Sequence, residues 1–346
     1  MTRNEKNNPL IGLLRRGWPK RSRCRVLLGM GLVVLAAVLG PYGFSRTVSA
    51  SRALEVVELE VAVPETSIRT GGSSLRIACY NIAHGRGLAN SNWDGGTAQD
   101  REQRLDEIAA LLVEFDADLV VLNEVDFNAT WSSSIDQAEY LAQRAGYPHV
   151  AKLSNLDFCL AHRSWRFGNA VLSRYPIRDA HEVDVPSYRG WEAVLAGKKR
   201  VLFCEVEVRG RSHGVLAAHL SHRSEALRVA SARRLLDFAS SYNKPLILAG
   251  DLNSSPSGLA GSLSSPAGEN AMDVLNQSGR FTPTPTRDSS DPSAYSYRAD
   301  RPARTIDWIL LSEDYAVNDR KVLDSLLSDH RPVVAEVQLI EPEAAE

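Results

Sequence analysis

Short apolar runs recur along most of the chain, at 75–82, 119–124, 148–153, 168–174, 200–208, 213–219, 245–250, 305–311 and 332–339. Runs of this length predict buried β-strands. Between several of them the apolar positions change to helical spacing. Leu105, Ile108 and Leu112 share one face of a helix that Asp100 can cap, with Gln103 at the reciprocal position. Ile135, Ala138, Ala142 and Ala145 form a second stripe, stopped by Gly146, and Val229, Ala232, Leu236 and Ala239 a third. A short helix is expected near 270–277. Strands that alternate with helices, together with strands that follow one another directly, predict an α/β layered sandwich with mixed sheets.

One apolar run differs in kind. Residues 26–44 carry no charge and follow a cluster of Lys and Arg. Spanning a bilayer takes about 20 apolar residues, and basic flanks stay in the cytoplasm. The pattern predicts one N-terminal hydrophobic helix: 1–25 a basic cytoplasmic segment, 26–44 a transmembrane signal-anchor, 45–74 a linker, 75–340 the globular domain and 341–346 an acidic tail. The domain would then sit outside the cytoplasm, tethered to the membrane. A signal peptide cut near Val48-Ser49-Ala50 is the other reading and gives a secreted protein.

Charge adds one restriction. Eight of the 40 Lys and Arg but one of the 42 Asp and Glu fall in the first 25 residues, so the remainder has a net charge of −9. Such a body exerts no general pull on a polyanion, although a local basic groove can still bind one. The four cysteines leave an odd number after the apolar run, which excludes a disulfide framework, and no pair has zinc-ligand spacing. No segment calls for an obligate protein partner.

Candidate chemistry lies where polar residues meet the strand runs. Asn81 follows Ile-Ala-Cys-Tyr, and Asn123-Glu124 follows Leu-Val-Val-Leu. Asp251 and Asn253 stand in Gly-Asp-Leu-Asn, Asp307 stands inside Ile-Asp-Trp-Ile-Leu-Leu, and Asp329-His330 precedes the last run. Ionised carboxylates beside core strands are costly unless paired, hydrogen-bonded or bound to metal, so their recurrence implies a convergent site. Glu124 can hold Mg²⁺ or pair with a core arginine. Asp251 and Asn253 can bind metal and phosphoryl oxygen or simply form a turn. Asp307 needs a donor, and His330 can supply one, as in a general-base pair. His219 ends a strand run and carries little weight alone. Three long loops, 83–99, 184–198 and 254–304, hold His84, Arg86 and Trp93, then Tyr188, Arg189 and Trp191, then Tyr295, Tyr297 and Arg298. Long loops over a sheet edge usually shape binding.

Taken together, these segments resemble the endonuclease/exonuclease/phosphatase superfamily, which includes deoxyribonuclease I-like and exonuclease III-like nucleases, inositol polyphosphate 5-phosphatases and sphingomyelinases. The resemblance runs from Leu75 to about Leu339 and implies a four-layered α/β sandwich, two mixed sheets flanked by helices. It implies a metal site at Glu124, Asn81 and Asp329, with Mg²⁺ or Mn²⁺ as the ion. Catalytic roles fall to His330, Asp307, Asp251, Asn253 and His219, with His330 and Asp251 competing for the role of base. Asn169 and Arg174, in Gly-Asn-Ala-Val-Leu-Ser-Arg-Tyr-Pro, match a strand whose arginine approaches phosphate. The implied activity is Mg²⁺-dependent hydrolysis of a phosphate ester, most simply a phosphodiester in nucleic acid, a phospholipid headgroup or a small molecule. The alternative is an inactive, membrane-tethered binding module on the same fold. Ile-Ala-His-Gly-Arg-Gly after Asn81 departs from the repair-nuclease pattern, and Lys244-Pro245-Leu246-Ile247 from the inositol-phosphatase pattern, so the substrate branch stays open.

Overall fold

The computed structural model describes residues 20–49, 53–61, 74–160, 162–187, 197–282 and 292–340. The chain divides into two units, Met1–Val48 and Ser49–Glu346. In the first, helix α1 (Lys20–Ser49) covers the 26–44 run. Its apolar side chains from Val26 to Leu39 are exposed. Among the described residues no helix is long and apolar enough to cross a membrane. The transmembrane expectation therefore gains no support from the structure. The 1–19 part of the basic segment, Ala50 of the proposed cleavage site and the acidic tail lie outside the described residues.

The second unit is built on two sheets. Its strands are β1 (Leu54–Glu58), β2 (Ser74–Asn81), β3 (Leu119–Asp126), β4 (His149–Leu160), β5 (Arg163–Ser173), β6 (Ile177–Asp184), β7 (Arg200–Val208), β8 (Arg211–His219), β9 (Leu246–Asp251), β10 (Asp307–Leu311), β11 (Tyr315–Val322) and β12 (Val333–Leu339). Among the described residues, one sheet has the order β1-β4-β5-β3-β2-β12-β11 and the other β10-β9-β8-β7-β6. Both are mixed. Each contains one parallel pair, β2–β3 and β8–β9, and antiparallel neighbours elsewhere.

Parallel neighbours need a crossover, and a helix supplies each one. Helix α2 (Ala98–Phe115) joins β2 to β3, and α4 (Glu225–Ser241) joins β8 to β9. Helix α3 (Gln137–Ala145) precedes β4, and the short α5 (Ala271–Asn276) follows β9. The inner faces of both sheets meet in one apolar cluster that includes Ile77, Val121, Val171, Val215, Ile247 and Val333. Leu105, Ile108 and Leu112 of α2 and Leu141 of α3 cover the outer face of the larger sheet. Val229, Ala232 and Leu235 of α4 with Met272 of α5 cover the smaller one. The result is helix, sheet, sheet, helix: the expected layered sandwich.

Two expectations need correction. The cap of α2 is Thr97, one turn earlier than foreseen: its side chain accepts from Asp100 N, and Asp100 reciprocates as the third helical residue. The 45–74 linker contains β1, which pairs with β4 from Leu54 to Glu58, so the folded unit begins well before residue 75. The 62–73 stretch lies outside the described residues. Among the described residues, Cys79, Cys159 and Cys204 form no disulfide.

Candidate active site

The sheet register assembles the site. In the larger sheet Asn81, Asn123 and Asn169 are neighbours across β2, β3 and β5. In the smaller sheet His219, Asp251 and Asp307 are neighbours across β8, β9 and β10. Asn81, His219 and Asp251 end their strands, the position from which parallel strands present ligand-binding groups. The two rows bond to each other. Asn81 Nδ2 donates to Asp251 Oδ2 at 3.1 Å, and Asp251 N donates to Asn123 Oδ1 at 2.8 Å. Gly250 makes this approach possible. A Cβ there would lie 2.2 Å from the Ala218 carbonyl oxygen and 2.7 Å from Asn123 Oδ1, and its φ of +128° suits glycine.

Glu124 reaches the site through a β-bulge. The β3–β5 register shifts between Asn123 and Val125, leaving Glu124 as the extra residue with φ +51°. A bulge re-aims the residue it ejects, here away from the ladder and into the site. Asn253, also left-handed at φ +53°, stands two residues past the end of β9; its amide N donates to Asp251 Oδ1 at 2.9 Å and its Nδ2 to Leu220 O at 3.3 Å.

The contacts run across the cluster without a break. Glu124 Oε1 lies 3.9 Å from His219 Nε2, which lies 3.5 Å from Asp251 Oδ2. Asp251 Oδ2 lies 3.7 Å from His330 Nε2, and His330 Nδ1 bonds Asp307 Oδ2 at 2.9 Å. All five side chains belong to one pocket at one end of the sandwich, as the sequence required. His330 is further fixed by Ser328, whose Oγ accepts its backbone N–H and donates to Asn81 O.

Electrostatics divide the pocket in two. Around Glu124 the partners are cationic or imidazole: Arg86 Nη1 at 3.1 Å, His84 Nε2 at 3.3 Å and His219. Burial opposes its charge, but His84, His219, Arg86 and Lys199 hold its carboxyl well below the usual range. Burial brings the Lys199 ammonium down to about 8, although Glu124 and Asp251 draw it upward. Burial and the Lys199 charge likewise push His219 well below its ordinary value. On the other side Asp251 is pushed up, first by burial and also by Asp307 and Glu124, against the pull of His330 and Lys199. His330 is raised because Asp307 and Asp251 outweigh its burial. Carboxylates and imidazoles displaced in opposite directions inside one buried cluster are a mark of a working site.

Three predicted residues fall elsewhere or act differently. Arg174 follows β5, and its amide N bonds Asp118 O while its Nη1 bonds Asp116 Oδ1 at 2.7 Å. Asp118 precedes β3 and Glu124 lies near its other end, roughly 20 Å away at strand rise, so Arg174 is not brought to the pocket. Asn169 is adjacent but committed: Oδ1 accepts from Asn123 Nδ2 at 2.9 Å, and Nδ2 donates to Arg200 O. It supports Asn123 rather than facing substrate. Asp329 does not stand free beside Glu124, because Arg86 bridges the two, with Nη2 bonding Asp329 Oδ2 at 2.9 Å.

Lys199 and the Arg86 bridge were not foreseen as parts of the site, and Asn123, named beside Glu124, was given no role. Lys198-Lys199-Arg200 reads as a solvated charge run, and only its place directly before an apolar strand hinted otherwise. Tyr188, Arg189 and Trp191 lie outside the described residues. Tyr297 is placed at the site, its ring centroid 4.7 Å from that of His330.

Residues 78–330 match the sequence profile of the Endonuclease/Exonuclease/phosphatase family. The chain belongs to this family. Its members hydrolyse phosphate esters. No curated protein matches the sequence significantly. Among solved structures, an endonuclease/exonuclease/phosphatase from Beutenbergia cavernae is 23% identical with a TM-score of 0.55, covering 77% of this chain and 72% of its own. The human Nocturnin catalytic domain with bound sulfate is 19% identical with a TM-score of 0.55, covering 83% and 98%. A mannosyl-6-phosphatase from Bacteroides thetaiotaomicron is 19% identical with a TM-score of 0.53, covering 77% and 100%. At these identities the likeness establishes the shared fold. The donor set fits a divalent cation: ligand atoms of Asp251, Asp307 and His330 lie within 4.8 Å of one another, all three residues buried, and Glu124 lies across His219 from Asp251. Oxygen-rich groups of this kind suit hard cations.

Proposed function

We propose that the protein is a Mg²⁺-dependent phosphodiesterase, with Mn²⁺ able to replace Mg²⁺. The observation that carries this reading is the unbroken line Glu124–His219–Asp251–His330–Asp307 in one buried pocket. Glu124 and Asp251 would hold the ion, which supplies Lewis-acid stabilisation of charge on the phosphoryl and leaving oxygens. Asn81 and Asn123 orient Asp251 by direct hydrogen bonds. His219, Asn253 and Lys199 bind phosphoryl oxygens. His330 takes the proton from the attacking water. Both Asp251 oxygens already accept hydrogen bonds, from Asn81 and Asn253, whereas His330 is oriented through Nδ1 and keeps Nε2 for the water. With Asp251 assigned to the ion, His330 takes the role of base. The complete site also weighs against the inactive-module alternative.

The test is hydrolysis of DNA, RNA, sphingomyelin, phosphoinositides and a generic aryl phosphodiester, with Mg²⁺ or with EDTA. The expected result is EDTA-sensitive cleavage of at least one diester, lost in Glu124→Ala. Cleavage that survives either treatment would overturn the reading. A nuclease would weaken steeply with salt as counterions are released, while a lipid enzyme would respond to how its substrate is presented. A location outside the cytoplasm rests on the basic and apolar pattern of residues 1–44 alone. It predicts that a membrane-impermeant thiol reagent on intact cells labels Cys159 and spares Cys24, and the reverse pattern would refute it.

A further inference from the structure

The pocket contains a second aspartate–histidine pair that the hydrolytic scheme does not use. His84 Nδ1 and Asp126 Oδ1 are 2.7 Å apart, and His84 Nε2 lies 3.3 Å from Glu124 Oε2. Asp126 is fully buried, and its other oxygen accepts from Trp131 Nε1 at 2.6 Å. Gln137 ties the two partners together: its Oε1 accepts from Asp126 N, and its Nε2 donates to His84 O. Trp131 and Phe167 pack edge-on against the imidazole, with centroids 5.8 and 5.0 Å away. Ala83 and His84 hold left-handed backbone at φ +48° and +55°. Non-glycine residues reach that region at a cost, which the surrounding structure must offset. Much of the local architecture therefore serves to aim one ring nitrogen at Glu124.

The two oxygens of Glu124 are not equivalent. Oε2 takes the contacts from His84 and Arg86, while Oε1 faces His219. We propose that Asp126 and His84 are positioning residues for Glu124. Together with Arg86 they pin Oε2 and so present Oε1 to the cation. This rests on the reading of Glu124 as a metal ligand. The logic is that of outer-shell support, in which the hydrogen-bond partners of a ligating carboxylate set its orientation and metal affinity. The two Asp–His pairs would then divide the work, Asp307–His330 acting on water and Asp126–His84 on the ligand carboxylate.

The test measures Mn²⁺ binding by electron paramagnetic resonance of the free ion, alongside turnover, in the full-length protein. We expect His84→Ala and Asp126→Asn to raise the Mn²⁺ Kd by roughly 10–100-fold, with kcat recovered at saturating Mn²⁺. His84→Gln, which keeps a donor toward Glu124, should fall between. A purely structural role would lower the melting temperature or kcat without moving the Kd. An unchanged Kd in His84→Ala, or a kcat loss that Mn²⁺ does not restore, would overturn the proposal. Should His84→Ala fail to fold, the Kd of Asp126→Asn decides in the same way. If the wild type and Glu124→Ala bind Mn²⁺ alike, Glu124 is no ligand, and the parent reading falls together with this one.

Discussion

Both ends of the sandwich place charged side chains beside strand termini, yet only one end is the proposed reaction site. At the far end Arg174 bonds Asp116, Arg76 bonds Glu336 at 3.0 Å, and Asp118 accepts the Arg76 backbone N–H. There guanidinium groups face carboxylates, with Asp116 serving both Arg76 and Arg174. At the near end imidazoles, an ammonium and carboxylates share partners, and burial displaces Lys199 and His219 downward and Asp251 upward. A buried charge is therefore a poor sign of function by itself. The informative sign is a charged group whose partners leave its proton or its counter-ion unsettled.

The largest expected contrast is in turnover. His330→Gln and Asp307→Asn should lower kcat by on the order of 10²–10⁴-fold, the range for removing a general base or its orienting partner. Arg174→Met should leave kcat within about twofold of wild type, because it lies outside the pocket. Steady-state kinetics on a generic diester reads both, and equal losses at the two ends would erase the contrast. A second measurement is thermal stability with added divalent cation. At 100 times its Kd an ion stabilises the native state by about 2.7 kcal/mol. This gain should vanish in Asp251→Asn and persist in Arg174→Met.

Smaller effects belong to the far end. Arg174→Met should cost about 1.5–3 kcal/mol in a denaturant titration, the range for a hydrogen bond to a charged group. His213 supplies a pH signature there. It lies near the start of β8 and shares a 2.6 Å hydrogen bond with the Tyr315 hydroxyl, and burial together with Arg211 lowers its pKa to about 4. A histidine depressed in the folded state binds its proton more readily when unfolded. Its contribution is thus intact above its ordinary value near 6.5 and is lost as pH falls toward 4. One pH unit below that ordinary value the loss should be about 1.4 kcal/mol. His213→Gln should flatten this slope and leave turnover unaltered.

The legible parts of the fold were those the core dictates. All nine apolar runs became strands, and the helix stripes at 105–112 and 138–145 became buried helix faces. The missed strands β1, β6 and β11 are all sheet edges. Their alternation is weak because solvent reaches both faces: β11 has one buried residue in eight and β6 one in eight. The site was legible where polar residues interrupt or terminate buried strands, as at Asn81, Asp251 and Asp307. Arg174 misled because Leu-Ser-Arg-Tyr-Pro also ends a buried strand, and nothing in the one-dimensional pattern says which end of the sandwich that is. Lys199 was hidden by its neighbours in a basic run. The bulge at Glu124 cannot be read from an unbroken apolar run followed by Asn-Glu.

The hydrogen bonds from Asn81 and to Asn123 stitch one sheet to the other at Asp251. Part of the proposed catalytic set thus rides on each sheet, and the proposed scheme needs both. A slip of the two layers by a fraction of a residue would disarm the enzyme while leaving every helix and ladder whole. On gradual heating, loss of turnover should therefore precede any change in the circular dichroism of the backbone.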